Sequence, residues 1–464
     1  MYVEFYGAAG EVTGSLHRVQ VGDSTIALDC GLFQGHRAQS NRLNRELPRW
    51  AVDAHALVLS HAHIDHSGNI PGLVKAGFKG NIYCTPATRD LCSVMLRDSA
   101  MIQKQDARYL NRRRSSGEAV IEPLYSVEDA HQAVKQMISV PLHRPLAIAP
   151  GVTMQFFDSG HVLGSALVVL DLEEKGVRRR LLFTGDLGRE ELPLLRSPEV
   201  VENVNALLME STYGDREHPE ISRLDDDIAK IIEDTLERKG RVLIPTFALE
   251  RAQEVLFALS RLQKRGRLPD IPIYIDSPLA ISITEIYKLH PESLDPEIRD
   301  LMLSRETPFS PPGLRYISDV EDSKVLQSSG EPCIIIAGAG MCEGGRILFH
   351  FVGGLGNPNN SVVIVGFMAQ HTLGRRLVER KKSVRVLGVM RDVRAAIHVV
   401  EGLSAHADKN DLLRFATDTA AAGNLRTLAL VHGEVDAREE LAGAIKERVD
   451  VRVIQAKRGE KFNL

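Results

Sequence analysis

The 464-residue chain is 44% hydrophobic and 25% charged, close to the average of folded soluble proteins, which excludes a disordered chain. Its length exceeds one ordinary core and predicts two or three domains. A formal charge of −4 excludes an overall basic nucleic-acid binder, so a partner of that kind needs a local positive patch.

The opening residues Met1-Tyr-Val-Glu-Phe-Tyr-Gly-Ala-Ala-Gly10 carry no basic region followed by an apolar core. No later run reaches the roughly 18 apolar residues of a membrane span, so a soluble, cytoplasmic protein without a membrane partner is predicted. The cysteines at 30, 84, 92, 333 and 342 include no CxxC pair, and neither a disulfide framework nor a thiolate zinc site is indicated.

In chain order, short strands separated by glycine turns are predicted at Tyr2 to Tyr6, Ser15 to Val21 and Ser24 to Asp29. The apolar run Ala56-Leu-Val-Leu59 leads into Ser60-His-Ala-His-Ile-Asp-His66, then a short helix over 67–77, the strand Asn81 to Cys84 and a long helix over about 87–113. Strands return at Thr153 to Asp158, Ala166 to Leu172, Arg180 to Thr184 and Ala206 to Glu210. From about residue 220 helices alternate with the apolar strands Arg241 to Pro245, Ile273 to Asp276, Cys333 to Ala337 and Ser361 to Val365. Near-continuous apolar runs between helices are what a parallel sheet covered on both faces requires, so this region reads as a separate α/β domain. Two strand-helix units, beginning with Ala396 to Glu401 and Arg426 to Leu430, and a last strand Val451 to Gln455 complete the chain.

Three imidazoles and a carboxylate within His61-Ala-His63-Ile-Asp65-His66 cost several kcal/mol to desolvate together unless something binds them. Neutral imidazole and carboxylate are the donors zinc takes in open catalytic sites. On leaving a strand, His61 and His63 point the same way by the period of two, while Asp65 and His66 can address a second cation. Two cations need further donors, and three lone residues at strand ends with glycine nearby supply them: His161, Asp186 and His432.

This order of residues resembles the metallo-β-lactamase superfamily. The resemblance implies an α/β fold, a four-layer αβ/βα sandwich holding two Zn2+ per chain. One cation would take His61, His63 and His161 and the other Asp65, His66 and His432, with Asp186 bridging. Asp29 matches the family's early aspartate, which orients the site. Two zinc ions outweigh the charge of two aspartates and a hydroxide, and a net positive centre suits a phosphodiester.

The long interval between Asp186 and His432 implies an insertion, and it resembles the β-CASP domain of the nucleic-acid-processing branch. Met209-Glu210-Ser-Thr-Tyr-Gly214 is similar to that branch's motif A, Leu403-Ser-Ala-His406-Ala-Asp408 to motif B, and Val431-His432-Gly-Glu434 to motif C. "PTFALERAQEVL", "YIDSPLA", "GMCEGGR" and "TLGRRL" are similar to the same branch. The implied division is 1–213 and 396–464 for the metallo-β-lactamase domain and 214–395 for the β-CASP domain. The implied catalytic residues are Asp65, Asp186, Glu210 and His406, with His406 serving the leaving sugar oxygen and Glu210 holding it.

The positive patch sought at the outset is Gly374-Arg-Arg-Leu-Val-Glu-Arg-Lys-Lys-Ser-Val-Arg385, read either as a solvated helix face or as phosphate contacts through Arg375 and Arg376. Ala337-Gly-Ala-Gly-Met-Cys-Glu-Gly-Gly-Arg346 departs from the dinucleotide fingerprint and favours backbone phosphates, with Arg346 and His350 behind it. The resulting expectation is a zinc-dependent ribonuclease that cleaves single-stranded RNA by metal-activated hydroxide. A DNA nuclease of the same architecture and a thioester or lactone hydrolase are the rivals. No RNA-binding module precedes the catalytic domain and nothing after it resembles the C-terminal domain of RNase J, so weak sequence recognition is expected. Oligomeric state is not set, a homodimer being one that the sequence allows.

Overall fold

Two seven-stranded sheets form the first of two units into which the chain divides, Met1–Glu217 together with Ala405–Leu464; His218–Ser404 is the second. The computed structural model describes residues 1–464 apart from 36, 116–118, 191, 220–223, 305, 367 and 401. One sheet runs Lys461–Asn463, Tyr2–Phe5, His17–Val21, Ser24–Leu28, Ala56–Val58, Asn81–Cys84, Met137–Ser139, antiparallel at first and parallel from Ser24–Leu28 onward. The other runs Arg452–Gln455, Thr427–Leu430, Ala206–Met209, Val177–Phe183, Ala166–Glu174, Val152–Asp158, Leu146–Ala149.

Alternation explains how the sheets face each other. Along Val152–Asp158 every second side chain is buried, as the period of two demands when one face meets a core. Val3, Phe5, Val19, Ile26 and Val58 from one sheet meet Met154, Phe156, Val168, Phe183 and Leu208 from the other in one apolar cluster. The opposite face of the second sheet, with Leu182, Leu207, Met209 and Leu428, buries Leu412, Ala416, Leu441 and Ile445 of the helices Lys409–Ala421 and Val435–Arg448. On the first sheet's outer side, Arg49–Val52 packs on Ser24–Leu28 and Pro86–Arg112 on Met137–Ser139. The layers are therefore helix, sheet, sheet, helix, and the α/β sandwich expected from the sequence is what forms.

The long helix Pro86–Arg112 shows why local sequence sufficed there. Thr85 caps it by accepting from the Thr88 N–H, Pro86 takes the first turn where no amide is needed, and Leu91, Met95, Leu96 and Ala100 line one buried face. The short helix expected over 67–77 forms as Ile70–Lys75, and a separate helical turn, Ile64–Ser67, precedes it.

The second unit holds a six-stranded sheet in the order Leu314–Tyr316, Ile273–Asp276, Ile334–Ala337, Val242–Pro245, Ser361–Ile364, Ala396–Val399. All its pairs are parallel. Val242, Ile244, Ile334 and Ile336 pack under Ile228, Val255 and Leu259 on one face. Leu243, Ile335, Val362 and Ile364 pack under Ile347, Phe351 and Leu377 on the other. Alternate residues of one strand thus go to opposite helical layers, which is why these runs are apolar throughout.

Two sequence expectations change here. The strand begun at Ala396 pairs with Ser361–Ile364 and closes this sheet, so the return to the first unit falls at Ala405 rather than at 396; Glu401, expected at that strand's end, lies outside the described residues. The basic run is not one helix face. Its helix stops at Val378, and Ser383–Val386 pairs with Val389–Asp392 because Val384 and Val386 are buried alternately. Leu387 and Gly388, both with positive φ, make the turn.

Among the described residues no helix is long and apolar enough to cross a membrane. All five cysteines are free and buried.

Candidate metal centre

Strand direction gathers the site. Val177–Phe183, Ala206–Met209 and Thr427–Leu430 run parallel, and two antiparallel steps make Val152–Asp158 run the same way. Asp186, Glu210, His432 and His161 follow those four strands directly, so they emerge at one edge of the sheet. Across from them Ala56–Val58 delivers His61 and His63, and the turn Ile64–Ser67 carries Asp65 and His66. Gly31 lets this turn close: a Cβ there would lie 1.5 Å from the Asp65 carbonyl oxygen.

The seven predicted donors fall into two groups, and Asp186 and His432 also form a third, overlapping group with Glu210. His61, His63, His161 and Asp186 have ligand atoms within 4.8 Å of one another, and so do Asp65, His66 and His432. In the first group His63 Nδ1 lies 3.1 Å from His61 Nε2 and 3.2 Å from His161 Nε2. In the second, His66 Nε2 lies 3.2 Å from His432 Nε2, which is 3.5 Å from Asp65 Oδ2. Asp186 stands between them. Its Oδ2 is 3.5 Å from both His61 and His161, and its Oδ1 is 3.2 Å from His66 and 3.3 Å from His432.

Hydrogen-bond bookkeeping tests whether cations fit. The Nδ1 of His161 faces the Ala405 carbonyl at 3.2 Å; a carbonyl only accepts, so Nδ1 carries the proton and Nε2 turns a lone pair inward. His61 Nδ1 meets Ser60 Oγ at 3.0 Å, and that hydroxyl donates to Asp29, so His61 Nε2 is bare too. Lone pairs thus converge on a carboxylate that is 1% exposed and has no hydrogen-bond partner at either oxygen. A buried charge left in that condition is costly. Nitrogen and oxygen donors backed by second partners match what zinc takes, and the residues fit a pair of divalent cations.

Protonation agrees for most of the set. Burial lowers the pKa of His61 and His161 and takes His63 down to about 3, keeping these rings in the neutral, ligating form. At His66 burial acts likewise, but Asp186 and Asp29 outweigh it and hold the pKa well above its ordinary value, so a cation held there would have to replace a proton.

Beside the donors, Glu210 is fully buried and fully engaged. It accepts from the Leu187 N–H at 2.8 Å and the Thr212 N–H at 3.2 Å, and its Oε1 lies 3.0 Å from His406 Nδ1. Burial opposes the charged form of His406, yet Glu210 prevails and raises its pKa to about 9. His406 sits in the stretch before Lys409–Ala421, where Arg189 N–H to Ala405 and Ala407 N–H to Leu187 pin the backbone. Its ring centroid is 4.5 Å from that of His161.

The four residues named for phosphate contacts divide. Asp276 is buried and accepts from Arg346 Nη1 at 2.6 Å, His350 Nε2 at 2.7 Å and Ser323 Oγ at 2.5 Å. Arg346 spends its other bonds on the carbonyls of Ile317 and Ser318. Arg346 and His350 therefore hold the sheet's loops together through Asp276, a structural role that the glycine-rich neighbourhood did not suggest. Arg375 and Arg376 instead line a cavity of about 520 Å³ with His371, Lys381 and Ser383.

Sequence reasoning missed Ser60, Ser15, Thr212 and the Ala405 carbonyl. Ser15 donates to Asp29 at 3.0 Å, and Thr212 Oγ1 lies 3.2 Å from His432 Nδ1. A hydroxyl has no distinguishing pattern and a carbonyl has no sequence signal at all; only Ser60, adjoining the histidine cluster, stood where it could have been suspected.

Three family descriptions match the chain: "Metallo-beta-lactamase superfamily" over residues 18–217, "Beta-Casp domain" over 252–377, and "Zn-dependent metallo-hydrolase RNA specificity domain" over 390–455. The chain is 36% identical to Ribonuclease TTHA0252 of Thermus thermophilus, over 92% of each chain. It is 30% identical to Transcription termination factor FttA of Methanothermobacter thermautotrophicus, over 95% of this chain and 68% of that one. An RNase J-like protein of Methanocaldococcus jannaschii is 30% identical over 89% of this chain and 88% of its own. In fold it is similar to a crystal structure of a protein of unknown function from Enterococcus faecalis V583, with a TM-score of 0.55 at 15% identity over 100% of this chain and 99% of that one.

Proposed function

The chain belongs to the metallo-β-lactamase superfamily, in its β-CASP ribonuclease branch, and from that premise we propose that it is a zinc-dependent ribonuclease hydrolysing phosphodiester bonds of single-stranded RNA. The observation that carries this reading is Asp186, a buried carboxylate whose two unpartnered oxygens each face a separate group of donors. His61, His63 and His161 would hold one zinc ion, Asp65, His66 and His432 the other, and Asp186 both. When bound, such a pair lowers the pKa of water and offsets charge on the attacked phosphate.

The chain's own groups supply the rest. Glu210 accepts a hydrogen bond from the Nδ1–H of His406 and so keeps the ring charged, and Nε2 on the far side of the ring hands its proton to the departing sugar oxygen. Arg375, Arg376 and Lys381 outnumber Glu379 around their cavity and would hold backbone phosphates without reading bases. RNA is preferred over DNA because two relatives are named as ribonucleases or RNase-like. A thioester or lactone needs neither His406 nor a basic cavity.

Labelled single-stranded RNA and DNA, each with and without chelator, test the proposal. RNA is expected to be cut, chelator to stop it, and His406→Ala to slow it by ~10²- to 10⁴-fold with the metal retained. Cleavage of DNA alone, or undiminished turnover in chelator, overturns it.

A further inference from the structure

Asp29 belongs to neither donor group, yet it reaches a ligand of each. Its Oδ2 lies 2.7 Å from His66 Nδ1, a member of the second group. The same oxygen accepts from Ser60 Oγ at 3.0 Å, and Ser60 Oγ lies 3.0 Å from His61 Nδ1, a member of the first. A serine hydroxyl has one proton. Since it goes to the carboxylate, the hydroxyl must accept from His61, which fixes that ring's tautomer with Nε2 toward Asp186. The Ser60 backbone N–H donates to Oδ1 at 2.8 Å and Ser15 Oγ to Oδ2 at 3.0 Å, so the carboxylate cannot rotate. The chain also keeps room for the relay. Gly185 turns with φ +54° over it, and a Cβ there would lie 2.5 Å from Ser60 Cβ and 2.7 Å from Ser60 Oγ.

We propose that Ser60 is a positioning residue for the first cation alone, so that the single carboxylate of Asp29 orients the first site through Ser60 and the second directly through His66. The inference rests on the two-cation reading above. His161 and His63 do not share the relay: His161 is oriented by the Ala405 carbonyl, and His63 presents its Nδ1 rather than its Nε2 to the group. Losing the Ser60 hydroxyl therefore loosens one ligand of one site, whereas neutralising Asp29 loosens a ligand of each. Outer partners of metal-bound histidines change affinity by ~10- to 100-fold, which is large enough to measure.

The experiment titrates Zn2+ into the metal-free full-length chain against a chromophoric chelator, for the native protein, Ser60→Ala and Asp29→Asn, with thermal melting to check folding. Ser60→Ala is expected to weaken one of two equivalents by ~10- to 100-fold and leave the other within about twofold, and Asp29→Asn to weaken both. In a His161→Ala background, where the first site is already damaged, adding Ser60→Ala should leave the remaining equivalent unchanged. If Asp29→Asn does not fold, the Ser60→Ala arms decide the matter. Equal weakening of both equivalents, or of neither, in folded Ser60→Ala overturns the inference while sparing the function proposed above. Native protein that takes up fewer than two equivalents sinks the two-cation reading, and this inference with it.

Discussion

Asp186 in the first unit and Asp276 in the second occupy the same kind of place, the end of a buried strand, with histidine beside each. Asp276 is satisfied on both oxygens by Arg346, His350 and Ser323. Asp186 accepts no hydrogen bond at either oxygen among the described residues, though it is just as deeply buried. The difference separates scaffold from site. Two buried carboxylates of one chain differ in role because one is satisfied by fixed hydrogen-bond donors and the other is ringed by imidazoles, among them His66, held in its protonated form.

Asp158 adds a third solution. It too ends a strand, and the Gly160 N–H at 2.9 Å is its hydrogen bond within the protein. Burial raises its pKa to about 6, so near neutrality it sits between a proton and a charge.

Substitutions at the three positions sharpen the contrast, beginning with the largest effect. Asp186→Ala removes the shared oxygens and is expected to abolish both zinc uptake and RNA cleavage while leaving the chain folded, read by metal analysis and turnover. Retention of two zinc equivalents would erase the distinction between the regions. Asp276→Ala strands a guanidinium in a largely buried pocket and is expected to cost about 3–5 kcal/mol in urea unfolding of the second unit, with zinc content unchanged.

Asp158→Asn has the smallest effect and a sign set by pH. The folded-state pKa lies above the unfolded value, so the protonated acid favours the fold, and that contribution is lost as pH rises through about 6. The asparagine variant should therefore gain stability relative to the native chain between about pH 4 and pH 7.5, by up to about 2–3 kcal/mol. A pH-independent difference would show that Asp158 is not protonated in the fold.

How far the sequence can be read differs between these regions for a physical reason. In the first unit the donors announce themselves, because His61, His63, Asp65 and His66 are neighbours in the chain. His161, Asp186 and His432 each follow an apolar strand within a few residues and stand next to a glycine. In the second unit the bonds of Arg346 and His350 to Asp276 were not legible, because that partner is distant in sequence and nothing local marks the pairing. The strand Ala396–Val399 was legible as a strand but not as a member of the inserted sheet, since an apolar run does not name the edge it will join.

Local order was enough to specify strands, the capped helix Pro86–Arg112 and the kinds of ligand gathered here, since side-chain period, capping and donor chemistry act over a few residues. What remained for folding to settle was partnership: which nitrogen of each ring faces inward, which carboxylate receives protons, and which sheet takes an edge strand. Those outcomes depend on atoms far apart in the chain, such as the Ala405 carbonyl at His161 and the Ser60 hydroxyl between Asp29 and His61. A hydrogen bond exists only once both ends are in place.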